Sequence, residues 1–150
     1  MRIALCNEVL DTMSLAQQCE YAARLGYAGL EIAPYTLSDT PERITLGEAA
    51  AMRATVESFG LVVTGLHWLL VKPAGLSLTD PDPALCQRTI EVMKRMTSLC
   101  AELGGAVLAH GSPRQRQIAG GETHAIALAR LQAGLAQVAE AATQWRDLLP

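Results

Sequence analysis

Two histidines stand at matching places in this chain. The apolar run at 61–70, LVVTGLHWLL, presents His67 and Trp68 near its end, and His110 closes the shorter run AVLA at 106–109. A continuous apolar run with β-branched residues predicts a strand buried on both faces. Each imidazole is therefore expected where a buried strand gives way to a loop. Glu31, in GLEIAP at 29–34, and the pair Asn7 and Glu8, in CNEV at 6–9, fall at the same point of two further apolar runs. Imidazoles and carboxylates are the groups that move protons near neutral pH. Glu31, His67 and His110 are accordingly the candidate catalytic residues, with Asn7 and Glu8 as candidate ligand contacts. Two imidazoles alone make a thin zinc site, since catalytic zinc takes three protein ligands, and Glu31 would have to be the third. Lys72, Arg114 and Arg116 lie on the loops behind the histidines, where charge-assisted bonds to a phosphate are available to them. Trp68 adjoins His67, so strand alternation points it to the opposite face, toward packing. A bend at the strand end would instead make it a stacking wall for a ring-shaped ligand.

These residues need elements to hold them. Strands are predicted at 2–9, 27–33, 61–70 and 106–109. Ser14 with Gln17, and Thr45 with Glu48, form capping boxes that start two helices, and Gly26 and Gly60 stop them. Asp80-Pro81 or Asp82-Pro83 supplies the N-cap and first position of a third helix. Its apolar residues Leu85, Ile90, Met93, Met96, Cys100 and Leu103 recur at helical spacing before Gly104 and Gly105. An Ala- and Leu-rich helix is expected from about Thr123 to Leu149. The alternation is strict, β then α, repeated four times without a linker, which predicts one α/β domain over 1–150 with a parallel sheet and helical crossovers. The open doubly wound sheet competes with a barrel here. No GxGxxG follows the first strand, which argues against a dinucleotide-binding unit. In a barrel, ionisable residues at the C-terminal ends of strands build the active face, and all four strands satisfy that pattern.

Composition narrows the classes. The chain has 150 residues, 50% hydrophobic and only 18% charged, with a net charge of −3. That balance offers no electrostatic case for binding nucleic acid. Four cysteines, Cys6, Cys19, Cys86 and Cys100, form no CxxC pair, and they are expected to be reduced core residues of a cytoplasmic protein. No apolar run approaches about 18 residues and the N-terminus is too polar for a signal peptide, so no membrane association is expected.

On four segments, CNEV at 6–9, GYAGLEIAP at 26–34, GLHWLL at 65–70 and LGGAVLAHGSP at 103–113, the chain resembles the xylose-isomerase-like TIM barrels, up to about Glu140. This superfamily holds sugar and sugar-phosphate isomerases and epimerases, together with AP endonucleases. The resemblance implies a (βα)4 unit, the N-terminal half of a barrel that ordinarily needs about 250 residues and eight strands. It implies isomerisation or epimerisation of a carbohydrate by metal-assisted proton transfer next to a carbonyl, with His67 a metal ligand in the endonuclease branch. A divalent ion (Mg, Mn, Co or Zn) would be held chiefly by Glu, Asp, His and Glu of strands five to eight, and this chain stops before them. The alternatives are a non-catalytic half-barrel that binds or oligomerises, and a DNA repair hydrolase, which the acidic balance disfavours. A four-stranded unit would leave two sheet edges and an apolar face open, with Ile3, Leu5, Leu30, Val63 and the neighbours of Gly65 as candidates for that face, whichever alternate set points inward. A homo-oligomer, or a missing C-terminal half, would complete it.

Overall fold

The computed structural model describes residues 1–146, so Leu149, the expected end of the last helix, lies outside the described residues. Four strands alternate with four helices: β1 (Ala4–Cys6), α1 (Leu15–Arg24), β2 (Gly29–Ile32), α2 (Leu46–Ser58), β3 (Val62–His67), α3 (Pro83–Glu102), β4 (Val107–Ala109) and α4 (His124–Arg146). The strands form one parallel sheet in the order β1-β2-β3-β4. The helix boundaries follow local chemistry. Ser14 and Gln17 cap α1 reciprocally, as Thr45 and Glu48 cap α2. Asp82, rather than Asp80, caps α3, accepting a hydrogen bond from the Ala84 amide, with Pro83 in the first turn. Gly26, Gly60 and Gly104 all adopt the left-handed conformation that ends a helix.

The strands are shorter than their apolar runs. β1 stops at Cys6 because the buried Asn7 side chain turns the chain into a 3-10 segment, Asn7–Leu10. β3 stops at His67 because Trp68 takes a left-handed backbone, φ 55°. Leu69 and Leu70 beyond it are fully buried, but in a loop. Apolarity marked them as interior without deciding their secondary structure.

One row of the sheet, Leu5, Leu30 and Val63, lies in register and joins the core that Cys19, Ala22, Val56, Met93 and Met96 build from the helices. The neighbouring row, Ala4, Gly29 and Val62, belongs to the other face, where Val62 is exposed and a shallow depression opens beside Thr64. This corrects the expectation for the open face in part: Leu5, Leu30 and Val63 pack against helices, whereas Ile3 is exposed, as are Val62 and Val107. Among the described residues, β1 and β4 each pair on one side only.

A register shift between Leu30 and Glu31 places Glu31 beside Gly65 instead of Thr64. Thr64 is the extra residue of this bulge, and its hydroxyl donates to the Leu30 carbonyl at 3.2 Å. Because side chains alternate along a strand, one added residue reverses the facing of everything after it. Leu66 thereby joins Ile32 in the core, and His67 turns to the face that carries Glu31.

Candidate functional site at the strand ends

The last residues of β1, β2 and β3 meet at the C-terminal end of the sheet. Cys6 and Glu31 are in register on adjacent strands, and the bulge brings His67 between them. His67 Nε2 lies 3.3 Å from Cys6 Sγ and 3.3 Å from Glu8 Oε2, and Nδ1 lies 3.5 Å from Glu31 Oε2 and 3.9 Å from Cys6 Sγ. The imidazole is thus buried with a carboxylate at each ring nitrogen. Glu8 and Glu31 are about one-third exposed, at 33% and 38% of their side-chain surface, so the group opens to solvent. The Tyr35 hydroxyl donates to Glu8 Oε2 at 3.3 Å, and partial burial beside the Glu8 charge pushes the Tyr35 phenol up. Burial, followed by the charges of Glu8 and Glu31, likewise raises the Cys6 thiol, which a backbone hydrogen bond only partly opposes. A thiol so placed is held protonated, which disfavours it as a free nucleophile.

The other candidates fall elsewhere. Asn7 is fully buried, and both protons of its amide are used: Nδ2 donates to Gln18 Oε1 at 3.1 Å and to Thr36 Oγ1 at 2.7 Å. Its Oδ1 accepts from the Ala33 amide at 2.8 Å. This side chain is a strut between the ends of β1 and β2, which corrects its assignment as a ligand contact. Trp68 lies past the strand, so alternation does not govern it; it is 40% exposed and rests against Gly111, where a Cβ would come within 3.0 Å of its ring. Lys72 pairs with Asp39 at 2.9 Å, tying the loops after β3 and β2 together. Arg114 and Arg116 are exposed on the 3-10 segment Pro113–Arg116 and, among the described residues, form no salt bridge.

His110 follows β4 at the same end of the sheet but shares no hydrogen bond with the His67 group. Both of its ring nitrogens are closed off from solvent and, among the described residues, lack a hydrogen-bond partner. Burial, and then the Arg116 charge, depress its pKa below the usual imidazole value. It is accordingly a neutral imidazole at neutral pH with its polar atoms unspent. The loop behind it is anchored by buried Ser112, whose hydroxyl accepts from the Leu70 amide at 3.1 Å.

Cys6 and Tyr35 are the members of the group that sequence reasoning missed. Cys6 reads as one more buried strand residue, although its place as the last residue of β1, level with Glu31, is the signal that would have found it. Tyr35 sits just past the proline that ends β2, in a loop that no periodicity marks.

Comparisons with known proteins bear on the family and the fold. A model of the xylose isomerase-like TIM barrel family matches residues 19–144. No curated protein matches the chain. Among solved structures, the fold is similar to 3-keto-D-glucoside 4-epimerase from E. coli, at 15% identity and a TM-score of 0.72, over 97% of this chain and 53% of that one. It is similar to D-psicose 3-epimerase determined in the presence of D-fructose, at 18% identity and a TM-score of 0.75, over 97% and 50%. It is also similar to D-psicose 3-epimerase from Clostridium cellulolyticum H10 with D-tagatose, at 16% identity and a TM-score of 0.76, over 97% and 50%. The chain spans about half the length of these structures, and its four βα units correspond to half of a TIM barrel. Among the described residues, no helix is long and apolar enough to cross a membrane.

Proposed function

This chain belongs to the xylose isomerase-like TIM barrel family, and from that premise we propose that it carries one half of a carbohydrate isomerase or epimerase site. Glu31 and His67 are the proton-transfer groups acting next to a sugar carbonyl, and Glu8, with Tyr35 on it, holds the imidazole. The observation that carries this reading is the His67 ring lodged between two partly exposed carboxylates at the strand ends, where barrels of this kind do their chemistry. Enolisation needs a base beside the carbon that loses its proton and a donor beside the carbonyl oxygen, and a carboxylate touching an imidazole supplies both. Trp68 is a wall for the sugar ring, and Arg114 and Arg116 are the cations for a substrate phosphate, while the His110 nitrogens, closed off from solvent, make no contact with the sugar.

The divalent ion implied for this reaction class would stabilise an enediolate. A set of hard oxygen ligands suited to Mg²⁺ or Mn²⁺ does not match the group present here, which mixes a thiol, an imidazole and a carboxylate. The test is exchange of the proton next to the carbonyl for deuterium in D₂O, read by NMR over a panel of ketoses and ketose phosphates. Weak exchange is expected from this half alone, falling by about 10²- to 10⁴-fold in Glu31→Gln and in His67→Gln. Exchange that survives both substitutions, or none with any sugar, overturns the reading.

A second reading concerns assembly. Among the described residues, exposed Val62 and Val107 and the single-sided pairing of β1 and β4 leave this sheet with an open face and two free edges. Unpaired edges template further pairing. We propose that a second copy docks β1 onto β4 and β4 onto β1 about a two-fold axis, giving eight strands around one enclosed face. Sedimentation velocity at micromolar concentration is expected to show a dimer. A monomer with exchange-protected amides on the outer edges of β1 and β4 sinks this reading.

A further inference from the structure

The resemblance makes His67 a metal ligand in one branch of the family, and the structure sets beside it a thiol and a carboxylate, Cys6 and Glu31, to which neither the carbohydrate reading nor the resemblance gives a metal. We propose that Cys6, Glu31 and His67 bind a zinc-like divalent ion through Sγ, a carboxylate oxygen and Nδ1, with Glu8 holding the far side of the imidazole. One ligand atom from each of the three residues lies within 4.8 Å of the other two. Nδ1 of His67 stands 3.5 Å from Glu31 Oε2 and 3.9 Å from Cys6 Sγ. Ligands bound tetrahedrally to zinc at the usual bond lengths lie about 3.4–3.6 Å apart. The two separations from Nδ1 are within a few tenths of an ångström of that value, and the Cys6 and Glu31 ligand atoms, at most 4.8 Å apart, close the rest of the way by side-chain rotation of about 1 Å.

The surroundings favour a cation. Two carboxylates and a thiol crowd one imidazole, and among the described residues no Lys or Arg lies within salt-bridge distance of Glu8 or Glu31. A divalent ion would offset the negative charge of Glu8 and Glu31 and displace the Cys6 thiol proton to solvent as it binds. The ring geometry fits as well. With Nδ1 on the metal, Nε2–H donates to Glu8 Oε2 at 3.3 Å, and Glu8 is held in turn by the Tyr35 hydroxyl at 3.3 Å. A carboxylate on the second nitrogen of a metal-bound histidine fixes its tautomer and raises its basicity. Three protein ligands leave a fourth position open to water or a substrate oxygen, the pattern of a catalytic rather than a structural zinc. The backbone already makes this placement, since Cys6 and Glu31 are register partners and the Thr64 bulge turns His67 toward them.

This site goes beyond the proton-transfer reading and is tested without a sugar. Cobalt(II) is titrated into the metal-free chain at neutral pH and followed by absorption, and zinc competition then gives the zinc affinity. A thiolate-to-cobalt charge-transfer band in the near ultraviolet, with the intense visible bands of four-coordinate cobalt, is the expected result. Cys6→Ser, which keeps Cys19, Cys86 and Cys100 as internal controls, is expected to abolish the charge-transfer band while circular dichroism stays unchanged. Glu8→Gln is expected to keep the band and weaken zinc binding by about 10- to 100-fold. As a readout independent of colour, zinc is expected to protect Cys6 from alkylation. The proposal is overturned by cobalt bands that lack sulfur character, by a charge-transfer band that survives in Cys6→Ser, or by alkylation of Cys6 that zinc does not slow. A bound metal with no ketose exchange in D₂O defeats the carbohydrate reading alone, and exchange without metal binding defeats this one alone.

Discussion

Gly65→Ala is expected to be the most damaging single substitution in the sheet. A Cβ at Gly65 would collide with the backbone carbonyl of Val107 and come within 3.0 Å of the Val107 Cβ. The obstacle is the main chain of the neighbouring strand, which has no rotamer to change. β3 and β4 must separate, and their ladder from Gly65 and Val107 to His67 and Ala109 is lost with them. Overpacking of this kind costs about 3 kcal/mol or more, a large part of a total near 5–15 kcal/mol. The urea midpoint is expected to fall sharply, and amide exchange should speed up in β4 before it does in β2. A midpoint within error of the parent would show that the two strands part freely, and the close approach would then carry no stability.

Asn7→Ala comes second, with an expected loss of about 3 kcal/mol. The substitution leaves the buried Ala33 amide without its acceptor and removes the donors to Gln18 and Thr36. Each buried group left unpaired costs about 1–3 kcal/mol. The consequence reaches the site through the chain itself, because Asn7 stands between Cys6 and Glu8, the two neighbours of His67 Nε2. Denaturant unfolding measures the stability, and the cobalt spectrum reports whether the Cys6 thiolate still reaches the metal. Asn7→Asp is the informative companion: it keeps the acceptor for Ala33 and removes the two donors, so it should recover part of the loss. Equal stability of Asn7→Ala and the parent would mean that water replaces the amide, and the strut would be no strut.

How much of this was legible in the residues alone differs from element to element. The capping boxes at Ser14 and Thr45 and the glycine stops at Gly26 and Gly60 are local chemistry, complete within a few residues, so the sequence by itself determined where α1 and α2 begin and end. The alternation of strand and helix likewise implied a parallel sheet, and the positions of Glu31, His67 and His110 behind apolar runs put them at its C-terminal end. What the sequence could not supply was facing. Apolar runs buried on both sides carry no alternation to read, which is why Leu5, Leu30 and Val63 are candidates for the open face by sequence although they pack against helices. The facing of His67 depends on one residue of register between β2 and β3, fixed where Thr64 bulges out and donates to the Leu30 carbonyl. Without that bulge, alternation would send His67 into the helix layer and Leu66 to the mouth. Cys6 became part of the site for the same reason, since only pairing with β2 sets it level with Glu31. Residue types and their order along the chain were enough to list groups that could do chemistry. Bringing a thiol, an imidazole and two carboxylates within a few ångströms of one another was decided by strand register and a bulge, long-range geometry that no local pattern encodes.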